Sequence, residues 1–136
     1  MVLIVERTEQ HTNTYYFTNK MFREAIKYFL AYCKKHNKRY KYIYAIPRGG
    51  FSIGLYLSHK LNIPMKINYA DPCLRLDKDV LVIDDIADSG KELAKSIYRD
   101  CDKFVLIAKM KGYKKVKPIV HTIVDDKQWV VFDWER

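Results

Sequence analysis

The chain is poor in residues that break or staple a fold: five glycines, four prolines and three cysteines stand among 136 residues. So little Gly and Pro excludes a collagen-like repeat or a low-complexity linker. The cysteines, Cys33, Cys73 and Cys101, are odd in number and contain no C-x-x-C pair. Neither a disulfide framework nor a zinc site is indicated, and a reducing cytoplasm is the expected setting. No apolar run approaches the roughly 20 residues that span a bilayer, and the opening five residues are too short for the apolar part of a signal peptide. A membrane partner is therefore not expected. His11, His36, His59 and His121 lack metal-ligand spacing, no Ser-His-Asp order suggests itself, and Gly90-Lys91 lacks the rest of a Walker A loop. Acid is the minority charge: sixteen Asp and Glu against twenty-five Lys and Arg leave +9. On charge alone such a balance attracts an anionic partner over long range: nucleic acid, phosphate metabolite or membrane surface.

What is present is globular, with 49% hydrophobic and 30% charged residues. The length suits one domain, 1–136, that buries about two-thirds of its unfolded surface. Phe22, Ile26, Phe29, Leu30 and Cys33 fall at helical spacing behind Thr18 or Asn19 as cap. A β-rich run over 42–46 meets the break Pro47-Arg48-Gly49-Gly50, and a helix follows over 51–61. The pattern recurs: an unbroken apolar strand over 80–83 stops at Asp84-Asp85, turns through Asp88-Ser89-Gly90 and opens a helix over 91–99. Further strands are expected over 64–69, 104–108 and 119–124, with a lysine-rich connection over 109–117 and an extended aromatic tail over 129–134. Strands alternating with helices predict an α/β fold, a mostly parallel sheet flanked by helices. Ligands of such sheets bind at the carboxyl ends of the strands, where Arg48, Asp84, Asp85 and Lys109 fall.

The segment from Val80 to Lys91 carries the strongest signal. Amides of a turn at a helix start, with Lys91 beside them, suit a phosphate. Adjacent carboxylates repel and are costly at a strand end unless hydroxyls, a cation or a cationic transition state lies between them. A sugar diol with magnesium answers both demands. The plainer alternative is that Asp84 and Asp85 end a strand and Asp88 caps a helix.

This segment resembles the signature of the type I phosphoribosyltransferases: an apolar strand, two acids, two variable residues, then Asp-Thr/Ser-Gly, matched from Asp84 to Gly90. Ala45-Ile46-Pro47-Arg48-Gly49-Gly50 is similar to the pyrophosphate loop of the xanthine-guanine and hypoxanthine members. Ile107-Ala108-Lys109 and the tail from Gln128 to Glu135 are similar to base-binding segments of the xanthine-guanine enzymes. The resemblance runs from about Tyr15 to the terminus. It implies Mg²⁺-dependent transfer of 5-phosphoribosyl from phosphoribosyl pyrophosphate (PRPP) to a 6-oxopurine (guanine, xanthine or hypoxanthine), releasing pyrophosphate, by a homo-oligomer (dimer or tetramer). Asp88, Ser89, Gly90 and Lys91 would then hold the 5′-phosphate. Asp84 and Asp85 would engage the ribose hydroxyls directly or through the metal, Arg48 and Gly49 the pyrophosphate. Lys109, Trp129 and the Val130 backbone would read the base, and Asp88 would share its N7 proton. Without the family pattern, Lys109 is one more solvated lysine and Trp129 a packed aromatic.

Two departures stand out. Members usually carry Thr or Ser two residues after the glycine, where this chain has Glu92, and they carry a longer mobile loop where this chain has a short lid over 70–79. A short lid excludes water less well. These departures, with the basic stretches 34–41 and 109–117 and their interleaved Tyr40, Tyr42 and Tyr113, open a second reading: a module of this fold that senses PRPP or nucleotide, or binds RNA, without efficient turnover.

Overall fold

A parallel sheet must cover both of its faces with the connections between its strands, so its strands stay apolar on both sides. That is how this chain is built. The computed structural model describes residues 2–5, 13–67 and 76–135. Its strands are β1 (Leu3–Val5), β2 (Thr14–Phe17), β3 (Tyr42–Ala45), β4 (Met65–Lys66), β5 (Val80–Ala87), β6 (Asp102–Lys109), β7 (Thr122–Val124) and β8 (Trp129–Phe132). Six of them form one sheet in the order β1-β7-β6-β5-β3-β4, every pair parallel, while β2 and β8 form a separate parallel pair. The helices are α1 (Asn19–Lys35), α2 (Phe51–Leu61) and α3 (Met110–Val116).

Successive residues of the central strands feed two cores. Ile43, Leu81, Ile83, Phe104 and Leu106 pack with Ile26 and Phe29 of α1 and Ile53 and Leu57 of α2. Their chain neighbours Tyr44, Val80, Val82 and Val105 pack on the other face with Leu93, Ile97 and Tyr98. The four residues from Val80 to Ile83 are fully buried, each contributing on the order of 1.5–3 kcal/mol. Thr18 caps α1 through its hydroxyl, which accepts from the Met21 amide at 3.2 Å, and Phe29 stacks on Phe104 with ring centroids 4.4 Å apart.

Strand order fixes where a ligand can sit. After β3 the chain runs out to β4 at the sheet edge, then returns on the other side of β3 as β5 and continues to β6 and β7. The connections after β3 and β5 therefore leave in opposite directions, which opens a crevice at the carboxyl ends of these two strands.

Several expectations need correction. β5 does not stop at the paired acids but runs on to Ala87, so Asp84 and Asp85 lie within a strand. The expected helix over 91–99 is a series of turns ending in a 3-10 turn at Ser96–Tyr98. Lys95 is extended there, with φ −58° and ψ 143°, and Leu93, Ile97 and Tyr98 reach the core without a helix. The lysine-rich connection contains α3, and the opening residues form β1 beside β7. The strand expected over 64–69 reduces to β4. Residues 68–75, hence most of the expected short lid together with Cys73, and His11, lie outside the described residues. Cys33 and Cys101 are free, buried thiols, each pushed up to about 11 chiefly by burial. Among the described residues no helix is long and apolar enough to cross a membrane.

Candidate active site

Two loops meet in the crevice. The 46–50 loop after β3 turns tightly: the Gly50 amide donates to the Ile46 carbonyl at 2.8 Å, and the Pro47–Arg48 peptide is cis. α2 starts directly from it. A side chain at Gly49 would overlap the Asp85 carboxyl, and one at Gly50 would overlap the Ile83 carbonyl oxygen. Only glycine lets this loop lie against β5, so the two motifs that were separate in the sequence share one wall. Arg48 is exposed on the same loop.

Asp84 and Asp85 are half-buried. Burial first, then the charge of Asp85 and a side-chain hydrogen bond with it, push the Asp84 carboxyl up to about 8, although its Oδ1 accepts from the Asp85 amide at 2.8 Å. Asp85 is raised too, again chiefly by burial, with Glu135 adding to it. Two crowded carboxyls that resist ionising together call for a cation or for hydroxyl donors between them.

Beyond β5, Ile86 to Leu93 line a hollow of about 100 Å³, room for a group the size of a phosphate rather than for a nucleotide. Gly90 takes φ 81°, a left-handed conformation suited to glycine, and the Lys91 amide donates to the Ser89 hydroxyl at 3.2 Å. No helix follows the loop, so its pull on an anion comes from turn amides and lysines rather than a helix dipole. Glu92 borders the hollow, but its carboxylate is held by Lys95 Nζ at 2.6 Å.

Lys109 is not a solvated lysine. It ends β6, its side chain is only 12% exposed, and Nζ lies 3.1 Å from Asp88 Oδ1. The structure thus brings the expected base-reading lysine onto the expected N7 partner. The tail reaches the same end of the sheet: Val124 of β7 stands in register with Lys109, and Asp126 accepts from the Lys111 amide at 2.7 Å. Trp129, first residue of β8, is 67% exposed, while Val130 packs toward the core. Trp129 is therefore free to stack rather than being a core aromatic.

Sequence reasoning gave three residues no role of their own. A side chain at Gly112 of α3 would overlap the carbonyls of Ala87 and Asp88, so glycine lets α3 lie against the loop that follows β5. Lys115 of α3 flanks Gly90, and the charge of Glu135 adds to the rise of the Asp85 carboxyl. Gly112 and Lys115 sat in what read as a plain basic run; only the packing of α3 distinguishes them. That basic surface is also less open to RNA than its composition suggests. Tyr40 is buried and donates to Asp102 at 2.6 Å, Lys38 pairs with Asp102, Lys41 with Asp77, and Lys66 lies over the Tyr42 ring.

Among the described residues no group of three or more His, Cys, Asp or Glu side chains is placed to hold a metal ion. The fit of magnesium rests instead on the carboxyl pair. Mg²⁺ takes one or two carboxylates and otherwise water and substrate oxygens, so Asp84 and Asp85 suit a magnesium ion that arrives with a polyphosphate.

No protein-family model and no curated protein sequence matches the chain. Solved structures do. A purine phosphoribosyltransferase from Pyrococcus horikoshii superposes with TM-score 0.70 at 22% identity, over 92% of this chain and 96% of that one. The Helicobacter pylori xanthine-guanine-hypoxanthine phosphoribosyltransferase gives 0.67 at 16% identity, over 92% and 94%. A Neisseria gonorrhoeae protein with bound ppGpp gives 0.61 at 22% identity, over 100% and 91%. With its parallel sheet, its crevice between β3 and β5 and these likenesses over nearly its whole length, the chain has the type I phosphoribosyltransferase fold.

Proposed function

We propose that this protein is a phosphoribosyltransferase that moves 5-phosphoribosyl from PRPP to a 6-oxopurine base and releases pyrophosphate. The observation that carries the reading is the contact of Gly49 with Asp85, which sets the pyrophosphate loop against the paired acids. Arg48 and the Gly49 backbone would hold the leaving pyrophosphate. Asp84 and Asp85 would hold the ribose hydroxyls and any magnesium, which when bound offsets charge on the leaving group. As the C1′ bond to pyrophosphate lengthens, positive charge develops on the ribosyl, and carboxylates at the crevice floor stabilise it. The hollow bordered by Asp88 to Lys91 would take the 5′-phosphate. Lys109 would donate to the oxygen at purine position 6, Trp129 would stack on the ring, the Val130 backbone would meet the base edge, and Asp88 would accept the N7 proton.

Nucleotide formation from PRPP, Mg²⁺ and guanine, xanthine or hypoxanthine, with adenine as comparison, tests this directly. Trp129→Ala should raise KM for the base about tenfold, the order of one base–aromatic stack, and leave KM for PRPP unchanged. Unchanged base KM would take Trp129 out of the site, and no product with any base would remove the activity.

The second reading, a nucleotide-sensing module without turnover, is favoured by Glu92 in the phosphate loop and by the ppGpp bound to the Neisseria protein of the same fold. Nucleotide binding in the absence of any product would select it.

A further inference from the structure

The charges around the loop at 88–92 do not cancel evenly. Four carboxylates belong to this end of β5 and its loop: Asp84, Asp85, Asp88 and Glu92. Asp88 is matched by Lys109 and Glu92 by Lys95, so neither of those lysines is uncommitted. Lys91 borders the hollow, and among the described residues it makes no ion pair. The same holds for Lys115, which is exposed on α3. α3 lies against the loop at two glycines: the Cβ of Lys115 is 3.2 Å from where a Gly90 Cβ would stand, and Gly112 abuts the carbonyls of Ala87 and Asp88. The stem of Lys115 thus starts beside Gly90, which lines the hollow, and carries its ammonium on a flexible four-carbon chain.

Resting on the reading of this crevice as a PRPP site, we propose that Lys115 is a ligand of the 5′-phosphate, reaching it from α3 beside a loop that carries Glu92 at its border. A phosphate monoester near neutral pH carries close to two negative charges. Two uncommitted ammonium groups, Lys91 from the loop and Lys115 from α3, match that charge from two sides. The phosphate contact of this chain is therefore shared between the β5 loop and a neighbouring helix, and Gly90 and Gly112 are the residues that let the two approach.

The probe is ribose 5-phosphate, titrated calorimetrically into the whole protein, with ribose as the unphosphorylated comparison. Lys115→Met should weaken binding about 10- to 100-fold, the loss of one charge-assisted hydrogen bond. Lys115→Arg should stay within about threefold, since the charge remains. Lys114→Met, on the same helix, should bind as the parent does, and Lys115→Met should keep the parent's melting temperature. Under turnover Lys115→Met should raise KM for PRPP and leave KM for the base unchanged. Parent and Lys115→Met binding ribose 5-phosphate equally would overturn the role of Lys115 alone. Failure of the parent to bind it any better than ribose would overturn the phosphate-loop reading with it.

Discussion

Replacing Asp84 and Asp85 together by asparagine is expected to lower kcat/KM for PRPP by at least about 10³-fold, while the unliganded protein becomes more stable at pH 8. The first effect follows from the proposed role of the two carboxylates, which would face the developing positive charge. The second follows from protonation. Asp84 titrates near 8 in the fold against 3.8 ordinarily, so the folded state binds this proton more tightly than the unfolded chain. The stability tied to that proton is fully present below about pH 4 and is lost as pH rises through about 8. An uncharged pair avoids that loss, and the double variant should melt about 3–8 °C above the parent at pH 8, the gap closing toward pH 4. Melting curves at the two pH values, with an initial-rate assay, check both halves. Retained transfer would remove the acids from the chemistry, and a variant less stable than the parent at pH 8 would show that the carboxyls serve the fold.

Gly49→Ala is expected to be the most damaging single methyl group in the protein for activity. The added Cβ would overlap the Asp85 carboxyl, which must swing away or push the 46–50 loop outward. Displacement of a catalytic group by about 1 Å costs on the order of 10²-fold in rate. Because the obstacle is the end of a side chain that can turn, the melting temperature should change by only a few degrees. Gly50→Ala separates the two effects: there the methyl meets the backbone oxygen of Ile83, which cannot turn away, so stability should fall by about 1–3 kcal/mol or more. Kinetics and melting of the two variants side by side test the distinction. Full activity in Gly49→Ala would mean that the loop does not lie against Asp85 in solution.

The parts of this fold that were legible in the sequence are those where one local rule dominates. α2 was expected over 51–61 and occupies Phe51–Leu61, because a glycine turn precedes its apolar spacing and Asn62, at φ 53°, ends it. The strand over 80–83 was legible as an unbroken apolar run, but its continuation through two acids to Ala87 was not, since hydrogen bonds to β6 outweigh the low strand propensity of Asp. The segment 91–99 misled because burial of Leu93, Ile97 and Tyr98 reproduces helical spacing without a helix. β1 and β4, of three and two residues, are strands only because a neighbour pairs with them. The site followed the same division. Asp84 to Gly90 and Arg48-Gly49 could be read as motifs, whereas the pairing of Asp88 with Lys109 and the approach of Lys115 to Gly90 depend on how β6 and α3 pack and leave no trace in local pattern.

On the proposed reading, the crevice between β3 and β5 grips a sugar carrying phosphate at both ends. Calorimetric titration of PRPP into the protein in Mg²⁺ tests it most directly. Saturable binding with Kd under about 1 mM is expected, at least about tenfold weaker in Asp84→Asn/Asp85→Asn. No binding, or the same affinity in the double variant, would contradict it.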